Sequence, residues 1–483
     1  MNRPTRRSFV KASAAGALTA LLPRPARSAE FRTVVNDASR LNPTPVVKHT
    51  ILKPESTDVL IETLRRELKE ATEQRRPLAI GSARHSMGGQ SMARNGTAIT
   101  LAGGPIEVDK SARTYRVGAG MSWAQIIRAL DPLGLSPAVM QSNHDFAVGS
   151  TFCVNAHGWP VPYGPFGATV RSLRLMLADG TVVNCSKTSN AELFGLAMGG
   201  YGLVGMILDL EVDAVPNALL GPKVERMPAE QFAERFVSAI RNDPAVKMAY
   251  GRLEVARQSF FEEALLITYR PVAKQPEKLP AAVSSGLMTS VSNKIYRSQI
   301  GSETGKRARW IAETRVNPAI SAGIATRNTL MNEPVANLAN RSSTRTDILH
   351  EYFVPPERFG EFLTACKDVI LPARTEFINV TLRFVDTDPT SVLSFAPGPR
   401  IAAVMSFSQE MSPDGEIDML QMTERLIERV VSIGGAFYLP YRLHARRDQV
   451  ERSYPNLARF IERKRHYDPG LLFRNAMWDA YFA

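Results

Sequence analysis

A loop of small residues directly after a short apolar run most constrains what this chain can fold into. Residues 77–80 read Pro-Leu-Ala-Ile, which is typical of a buried strand, and residues 81–90 read Gly-Ser-Ala-Arg-His-Ser-Met-Gly-Gly-Gln. Because glycine and serine leave the backbone accessible and glycine tolerates positive φ, several N–H groups can converge there on a phosphate. The loop has neither the ending of a P-loop nor the glycine spacing of a Rossmann turn. It predicts another kind of anion site, although a glycine turn with an incidental histidine is the alternative.

A second glycine-containing segment follows about sixty residues later. Residues 147–158 read Ala-Val-Gly-Ser-Thr-Phe-Cys-Val-Asn-Ala-His-Gly. Residues 170–185 then show near-alternating apolar positions around an Asp-Gly turn, which predicts a β-hairpin. A short helix is expected after Asn190, with Asn190 as its N-cap, and the glycine-rich residues 199–207 lead into another strand.

In order and spacing these segments resemble the FAD-binding part of the vanillyl-alcohol oxidase/p-cresol methylhydroxylase flavoprotein family, the PCMH-type FAD-binding domain. The resemblance implies an α+β fold, with a two-subdomain FAD-binding domain and an α+β substrate (cap) domain. It implies FAD as cofactor and a covalent bond between the flavin and His85, because the family often links its flavin to a histidine at this position. The FAD-binding residues that it implies are Gly81, Ser82, Ala83, Arg84, His85, Ser86, Gln90, Val148, Gly149, Ser150, Thr151, Asn155, Gly158, Ile207 and Asn475.

The first residues predict export. Arg6 and Arg7 precede a weakly apolar run over residues 12–22 and the small-residue site at 26–28, which is the layout of a twin-arginine signal peptide. A basic disordered leader would explain the charge but not this order of features. We therefore expect a periplasmic or secreted protein that uses the twin-arginine export machinery. The apolar run is too short to span a bilayer, and no integral membrane segment is expected in the mature chain.

Composition is that of a soluble enzyme with two or three domains, since 44% of the 483 residues are hydrophobic. The formal charge of +12 falls to +6 without the six Lys/Arg of residues 1–28. The simplest explanation of the remaining excess is basic side chains on a solvated face. No zinc-finger or RNA-binding motif accompanies it, so no nucleic-acid partner is expected. Three cysteines allow at most one disulfide, and buried thiols are the expected state.

The resemblance also divides the chain. Residues 1–28 are the signal peptide and residues 29–215 the FAD-binding domain, which opens with a helix capped near Ser56. Residues 216–434 form the substrate or cap domain, and residues 435–483 return to the FAD-binding domain.

The closing motifs look nearest to the sugar/aldonolactone oxidase branch, with the cytokinin dehydrogenases as the other close branch. An Arg-Pro-His-Trp-x-Lys element would fall on residues 442–447, where Arg442 and His444 are kept but the proline, tryptophan and lysine are not. A Glu-x-Arg element would fall on residues 381–383 and keeps only Arg383. The resemblance therefore implies fold and cofactor but not the substrate.

The expected function is an FAD-dependent oxidoreductase. It would transfer a hydride from a small hydroxylated substrate, such as an alcohol, polyol, sugar or lactone, to flavin N5, with reoxidation by dioxygen or by a quinone or cytochrome. A flavin-binding protein without turnover that acts in ligand binding or partner docking, and an amine-oxidising member of the same family, are the alternatives.

The catalytic candidates follow from the mechanism. Arg383 or Arg442, or else Arg447, would stabilise negative charge at the N1–C2 edge of the reduced flavin, and His444 would serve as base because imidazole titrates near neutrality. The alternative for each arginine is a surface position or an ion pair, and the alternative for His444 is a histidine packed in the core. Tyr352 would line the pocket or simply pack. No metal is expected, because His144, Asp145, His157 and Cys153 near the second segment match no standard zinc spacing, and a position beside the flavin is the better account of them.

Overall fold

Four β-sheets organise the part of the chain that the structure describes. The structure is a computed structural model that describes residues 33–284, 296–316, 323–335 and 342–483. The signal peptide expected at residues 1–28 lies outside the described residues. Helices and sheets are mixed along the chain, as the α+β expectation requires.

Two small sheets precede the second glycine segment. Their strands are β1 (Thr33–Val35), β2 (Thr44–Val46), β3 (Lys48–Leu52), β4 (Leu78–Gly81) and β5 (Thr97–Leu101). Strands β1 and β2 pair antiparallel, whereas β3, β5 and β4 form a parallel sheet in that order. Helix α1 (Thr57–Glu73) connects β3 to β4, and its buried face is apolar. The Ser56 side chain accepts a hydrogen bond from Val59 N at 3.3 Å, which confirms the predicted N-cap.

A six-stranded antiparallel sheet follows. It contains β6 (Ile106–Asp109), β7 (Thr114–Gly118), β8 (Leu135–Pro137), β9 (Val170–Met176), β10 (Val182–Ser186) and β11 (Met206–Pro216), with helices α2 (Trp123–Leu130), α3 (Val148–Cys153) and α4 (Ala191–Ala197). The order is β10-β9-β11-β7-β6, and β8 pairs with β11. The predicted β9–β10 hairpin is confirmed, and its turn uses Gly180 at a φ of +82°.

Asn190 differs from its expected role. Helix α4 begins where it was predicted, but Asn190 has a φ of +47° and makes no side-chain cap. Its Nδ2 instead donates to the carbonyl oxygen of Asn184 at 2.8 Å. Asparagine tolerates the left-handed conformation through such local hydrogen bonds, and this one takes the side chain away from the helix.

An eight-stranded antiparallel sheet occupies the next part. It contains β12 (Leu219–Pro228), β13 (Met248–Leu253), β14 (Glu263–Pro271), β15 (Ala325–Thr326), β16 (Arg345–Val354), β17 (Glu376–Val385), β18 (Arg400–Glu410) and β19 (Ala436–Phe437). The order is β15-β12-β14-β13-β17-β18-β16-β19. Its helices are α5 (Phe232–Arg241), α6 (Glu303–Ile311), α7 (Arg327–Met331), α8 (Phe359–Ile370) and α9 (Pro413–Ser432). Helix α9 packs on β16, β18 and β19, and the six- and eight-stranded sheets share one hydrophobic core.

The last segment returns to β4. After helices α10 (Arg447–Ser453) and α11 (Leu457–Tyr467), Leu78 N donates to the carbonyl oxygen of Leu472 at 2.7 Å. Asp468, which is buried beside Lys464, accepts hydrogen bonds from the backbone N–H groups of Leu472 and Phe473. These bonds fix the C-terminal segment next to the loop that follows β4. In the described ranges, no helix is both long and apolar enough to cross a bilayer.

Candidate active site

A cavity of about 1350 Å³, part of it open to solvent, lies where the loop after β4, the start of α3 and the eight-stranded sheet meet. The two sequence segments singled out above both line it. The predicted cofactor residues in the lining are Gly81, Ser82, Ala83, Arg84, His85, Ser86, Gln90, Gly149, Ser150, Gly158 and Ile207.

Arg84 supplies positive charge in the first loop. It has a φ of +52°, and its Nη1 donates to Thr100 Oγ1 at 2.7 Å. Its Nε and Nη2 are buried and make no hydrogen bond within the protein. Burial lowers the pKa of Arg84 below its ordinary value. Because buried polar groups are normally paired, a guanidinium with two free donors on this cavity suits a bound pyrophosphate.

Gln90 and Asn475 stabilise this loop through hydrogen bonds. Gln90 Oε1 accepts from Gly88 N at 2.9 Å, and its Nε2 donates to the carbonyl oxygens of Leu439 and Tyr441. Asn475 Nδ2 donates to the carbonyl oxygen of Gln90 at 2.8 Å. Asn475 does not line the cavity, so it supports the loop through Gln90.

The second segment approaches the six-stranded sheet closely at Gly149. Gly149 N donates to the carbonyl oxygen of Ala119 at 2.9 Å. A Cβ added at Gly149 would lie 2.7 Å from the Cβ of Ala119, closer than real contacts allow. Glycine at this position therefore lets the start of α3 pack directly beneath the cavity.

Three predicted cofactor residues of this segment lie outside the cavity lining and fix the segment instead. Val148 is fully buried. Thr151 Oγ1 accepts from Trp123 Nε1 at 2.9 Å. Asn155 donates to Asp388 and accepts from Gly167 N. Their contribution to a cofactor site is to hold the backbone of Gly149 and Ser150.

His85 lies on the cavity against Phe146, with ring centroids 4.5 Å apart. Burial lowers the pKa of His85, and the nearby charge of Asp145 opposes this only in part. The imidazole is therefore neutral near pH 7. Cys153 also lines the cavity, and burial raises the pKa of its thiol to about 12.

Arg383, on β17, connects the eight-stranded sheet to the second segment. Its Nη1 donates to the carbonyl oxygen of His157 at 3.0 Å and its Nη2 to Ser142 Oγ at 2.9 Å. Burial lowers its pKa, and the negative charge of Glu351 acts in the opposite direction. Arg383, His157, Ser142 and Glu351 all line the cavity.

Glu351 and Tyr441 complete this group. His157 Nε2 lies 2.9 Å from Glu351 Oε1, and Tyr441 OH donates to Glu351 Oε2 at 3.3 Å. Sequence reasoning placed His157 beside the flavin but missed Glu351 and Tyr441. The available signal was an acidic residue inside the otherwise apolar end of β16, because buried carboxylates are rare without a partner.

Arg442 and His444 lie away from the cavity lining. Both side chains pair with Glu416 on α9, and His444 Nε2 is 2.9 Å from Glu416 Oε1. Burial raises the pKa of Glu416, but the hydrogen bond from His444 and the charge of Arg442 outweigh this effect and hold the pKa at about 2. His444 lies in the loop between β19 and α10, where this carboxylate binds both side chains behind the loop of residues 81–90.

Two other residues considered from the sequence, Arg447 and Tyr352, also lie outside the cavity lining. Arg447 is exposed and donates to the carbonyl oxygen of Ala483. Tyr352 is buried with its hydroxyl 3.4 Å from His350 Nδ1. Of the predicted catalytic arginines, Arg383 is the one that the structure places on the cavity. In the described part of the chain, no group of three or more His, Cys, Asp or Glu side chains is arranged to hold a metal ion, and the three cysteines are free thiols.

Comparison with known proteins agrees with this site. Residues 50–186 match the model of a family described as an FAD binding domain. Cytokinin dehydrogenase 8 of Oryza sativa subsp. indica is 30% identical over 43% of this chain and 40% of its own length. The alditol oxidase of a Streptomyces species is 33% identical over 24% of this chain and 27% of its own length.

A longer match has lower identity. Decaprenylphosphoryl-beta-D-ribose oxidase of Mycolicibacterium smegmatis is 23% identical over 77% of this chain and 81% of its own length. The chain spans about 40% of the length of the cytokinin dehydrogenases that it matches. Residues 50–186 therefore form an FAD-binding domain, the cofactor is FAD, and the chain is similar to oxidases and dehydrogenases.

Proposed function

We propose that the protein oxidises a small hydroxylated compound, such as an alcohol, polyol, sugar or lactone, with FAD as hydride acceptor. The observation that carries this proposal is that one cavity is lined both by the two FAD segments and by Arg383, His157 and Glu351. When bound, FAD supplies a hydride acceptor at flavin N5. Proximity of a polar cluster to the cofactor residues is what a substrate site in such an enzyme needs.

The residues would divide the work of binding and catalysis. Arg84 and the backbone of the first loop would hold the pyrophosphate. Arg383, fixed by hydrogen bonds to His157 and Ser142, would place a positive charge where the reduced flavin becomes negative. A charge that is already fixed needs no reorganisation during the reaction, which is why such groups stabilise transition states well.

Hydroxylated substrates are favoured over amines by the lining. Burial raises the pKa of Tyr201, Tyr438 and Tyr441 well above the ordinary value, so their hydroxyls stay protonated. Arg383 balances the charge of Glu351, which leaves little net attraction for a cationic amine. The names of two relatives, alditol oxidase and L-gulonolactone oxidase, point to the same substrate classes for this chain.

We also infer that His85 forms a covalent bond to the flavin. The support is a neutral imidazole that is held against Phe146 on the cavity wall, next to the anion loop. Residues up to 215 would form the family's two subdomains, and residues 216–434 would cap the flavin's reacting face.

Export through the twin-arginine machinery to the periplasm or the medium is a further part of the proposal. It rests on Arg6 and Arg7, the apolar run and the small-residue site at 26–28. A double Arg6→Lys, Arg7→Lys variant should remain in the cytoplasm, whereas the exported wild type should begin near Ala29 or Glu30. Equal export of the two proteins would refute this part.

Anaerobic bleaching of the flavin tests the proposed function. The purified protein should be yellow with one FAD per chain, and at least one alcohol, polyol, sugar or lactone in a panel should bleach it. Mixing the reduced protein with dioxygen, a quinone or a cytochrome then identifies the acceptor. Bleaching only by amines would favour an amine-oxidising enzyme, and an ordered flavin that no compound reduces would favour a binding protein without turnover.

A further inference from the structure

The oxidation of an alcohol releases a proton, and few lining residues can accept it. The titratable groups among the described lining residues are Arg84, His85, Cys153, His157, Tyr201, Glu351, Arg383, Tyr438 and Tyr441. The arginines are permanently protonated. Burial raises the pKa of the tyrosines and of the Cys153 thiol, so these groups keep their protons near pH 7. His85 belongs to the proposed flavin link, which leaves His157 and Glu351.

His157 is poorly placed to touch a substrate. Aromatic rings surround its imidazole, with Phe353, Phe395 and Tyr438 centroids at 5.0, 5.4 and 5.5 Å. Its Nε2 faces Glu351 at 2.9 Å, and its Nδ1 is buried without a hydrogen-bond partner. The imidazole can therefore orient the Glu351 carboxylate, but its second nitrogen is shielded.

Neighbouring side chains position the Glu351 carboxylate and leave it able to accept a proton. Its Oε1 faces His157, and its Oε2 accepts one hydrogen bond from Tyr441 OH at 3.3 Å. An ionised carboxylate offers about four lone-pair sites, so acceptor capacity remains on a side chain that lines the cavity. The charged or titratable groups that face it from the other elements are His157, Tyr201, Arg383, Tyr438, Tyr441 and Tyr454. Arg383 supplies the permanent positive charge in this set.

We propose that Glu351 is the general base of the oxidation and that His157 is its positioning residue. The inference rests on the proposed function. The substrate C–H bond breaks, and its hydrogen leaves as a hydride, with both electrons, to flavin N5. The O–H proton moves to the Glu351 carboxylate, and the carbon–oxygen bond becomes a carbonyl. FAD is reduced by two electrons and the alcohol is oxidised by two.

The Glu351→Gln holoenzyme tests this step. Loss of a general base should lower the anaerobic rate constant of flavin reduction by about 10²–10⁴-fold, with the FAD content unchanged. Any dependence of the wild-type rate on pH that comes from the base should be absent in Glu351→Gln. Glu254→Gln is the matched control, because Glu254 is buried but lies outside the cavity lining, and it should reduce like the wild type.

The His157→Asn variant separates positioning from catalysis. Without the imidazole, the Glu351 carboxylate loses the group that lies beside its Oε1. The rate of flavin reduction should therefore fall less in His157→Asn than in Glu351→Gln, and the pH dependence of the rate should persist. Loss of the pH dependence in His157→Asn would instead make His157 the base.

Infrared difference spectroscopy gives a readout that does not depend on the rate of turnover. Anaerobic reduction of the wild-type holoenzyme by the bleaching compound should produce the carbonyl stretch of a protonated carboxyl group, distinguished from the product carbonyl by its shift in D2O, which photoreduction should not produce. Glu351→Gln should lack this band, and if that variant fails to bind FAD, the two wild-type spectra still decide. Absence of the band, or wild-type reduction by Glu351→Gln, overturns the role of Glu351 alone. A wild type that no panel compound bleaches overturns the proposed function as well.

Discussion

Arg383 Nη1 donates a hydrogen bond to the main-chain carbonyl oxygen of His157 at 3.0 Å, although 226 positions separate the two residues. The bond links β17 of the eight-stranded sheet to the second FAD segment. Both residues line the cavity. A change at Arg383 should therefore affect both the packing of the two parts and the chemistry between them.

Replacing Arg383 tests this link. Arg383→Gln leaves the carbonyl oxygen of His157 and Ser142 Oγ without their charged donor. We expect the free energy of unfolding to fall by about 1–3 kcal/mol and the rate of flavin reduction to fall by about 10²–10³-fold. Urea unfolding and anaerobic reduction measure the two effects. Arg226→Gln, a change in an exposed ion pair on β12, should alter stability by at most about 1 kcal/mol. Equal effects of the two variants would contradict the link.

His85→Ala should abolish covalent attachment of the flavin. Wild-type protein should keep its flavin fluorescence on an acid-soaked denaturing gel, whereas His85→Ala should lose the fluorescent band and still bind FAD reversibly through the rest of the site. His49→Ala is a control, because His49 lies on β3, contacts Thr100 and does not line the cavity. A fluorescent band in His85→Ala would place the link on another residue, and release of all flavin from the wild type would remove the link altogether.

The pH dependence of attachment gives a second test of His85. Attack on the flavin needs the neutral imidazole, and burial lowers the pKa of His85 below its ordinary value of 6.5. As pH falls, the rate of attachment in apoprotein supplied with FAD should therefore reach half of its maximum only below pH 6.5. A midpoint above pH 6.5 would contradict a lowered pKa.

Local signals in the sequence predicted the local parts of the site. The α1 cap at Ser56, the β9–β10 hairpin and the small-residue loop after β4 depend on residues near one another in the chain, and all three are confirmed. The predicted FAD-binding domain and its cofactor, FAD, are confirmed as well. Interactions within a few residues are governed by backbone geometry, which sequence patterns record directly.

The pairings between residues far apart in the chain were not predicted from the sequence. No sequence pattern near His444 indicates that it and Arg442 would both contact Glu416. On β16 the alternation of strand side chains decides which neighbour faces the cavity. Glu351 lines the cavity, whereas Tyr352, the residue considered from sequence, is buried beside His350. The face that each residue occupies depends on where the strand packs, and this is set by segments far away in the chain.

Gly149→Ala should weaken FAD binding. The added Cβ would lie 2.7 Å from Ala119 Cβ and 2.9 Å from the Ala119 carbonyl oxygen, so the start of α3 must shift. Overpacking of this kind costs about 1–3 kcal/mol. Because α3 carries Ser150 on the cavity wall, the dissociation constant measured with deflavinated His85→Ala, Gly149→Ala protein should rise above that of His85→Ala. Gly360→Ala in the same background is the control, since open space surrounds Gly360 on α8, and it should bind FAD normally.

Glu416 should contribute stability that depends on pH. Its pKa is about 2, because the hydrogen bond from His444 and the charge of Arg442 outweigh the raising effect of burial, while its ordinary value is 4.5. A carboxyl whose pKa is lower in the folded state stabilises the fold above the unfolded-state value and loses that contribution as pH falls through the folded-state value. After allowance for partial solvent exposure, we expect about 2 kcal/mol at pH 7.

Denaturant unfolding of the wild type and Glu416→Gln between pH 3 and pH 7 measures this contribution. The wild type should be more stable at pH 7, and the difference should shrink steadily as pH falls below about 4.5, because Glu416 then binds a proton in the unfolded chain more readily than in the folded protein. Glu410→Gln serves as control, since Glu410 forms a largely exposed pair with Arg345 and should change stability by less than about 1 kcal/mol at any pH. A stability difference for Glu416→Gln that stays constant with pH would show that shape and packing, rather than the charge of Glu416, hold Arg442 and His444 behind the loop.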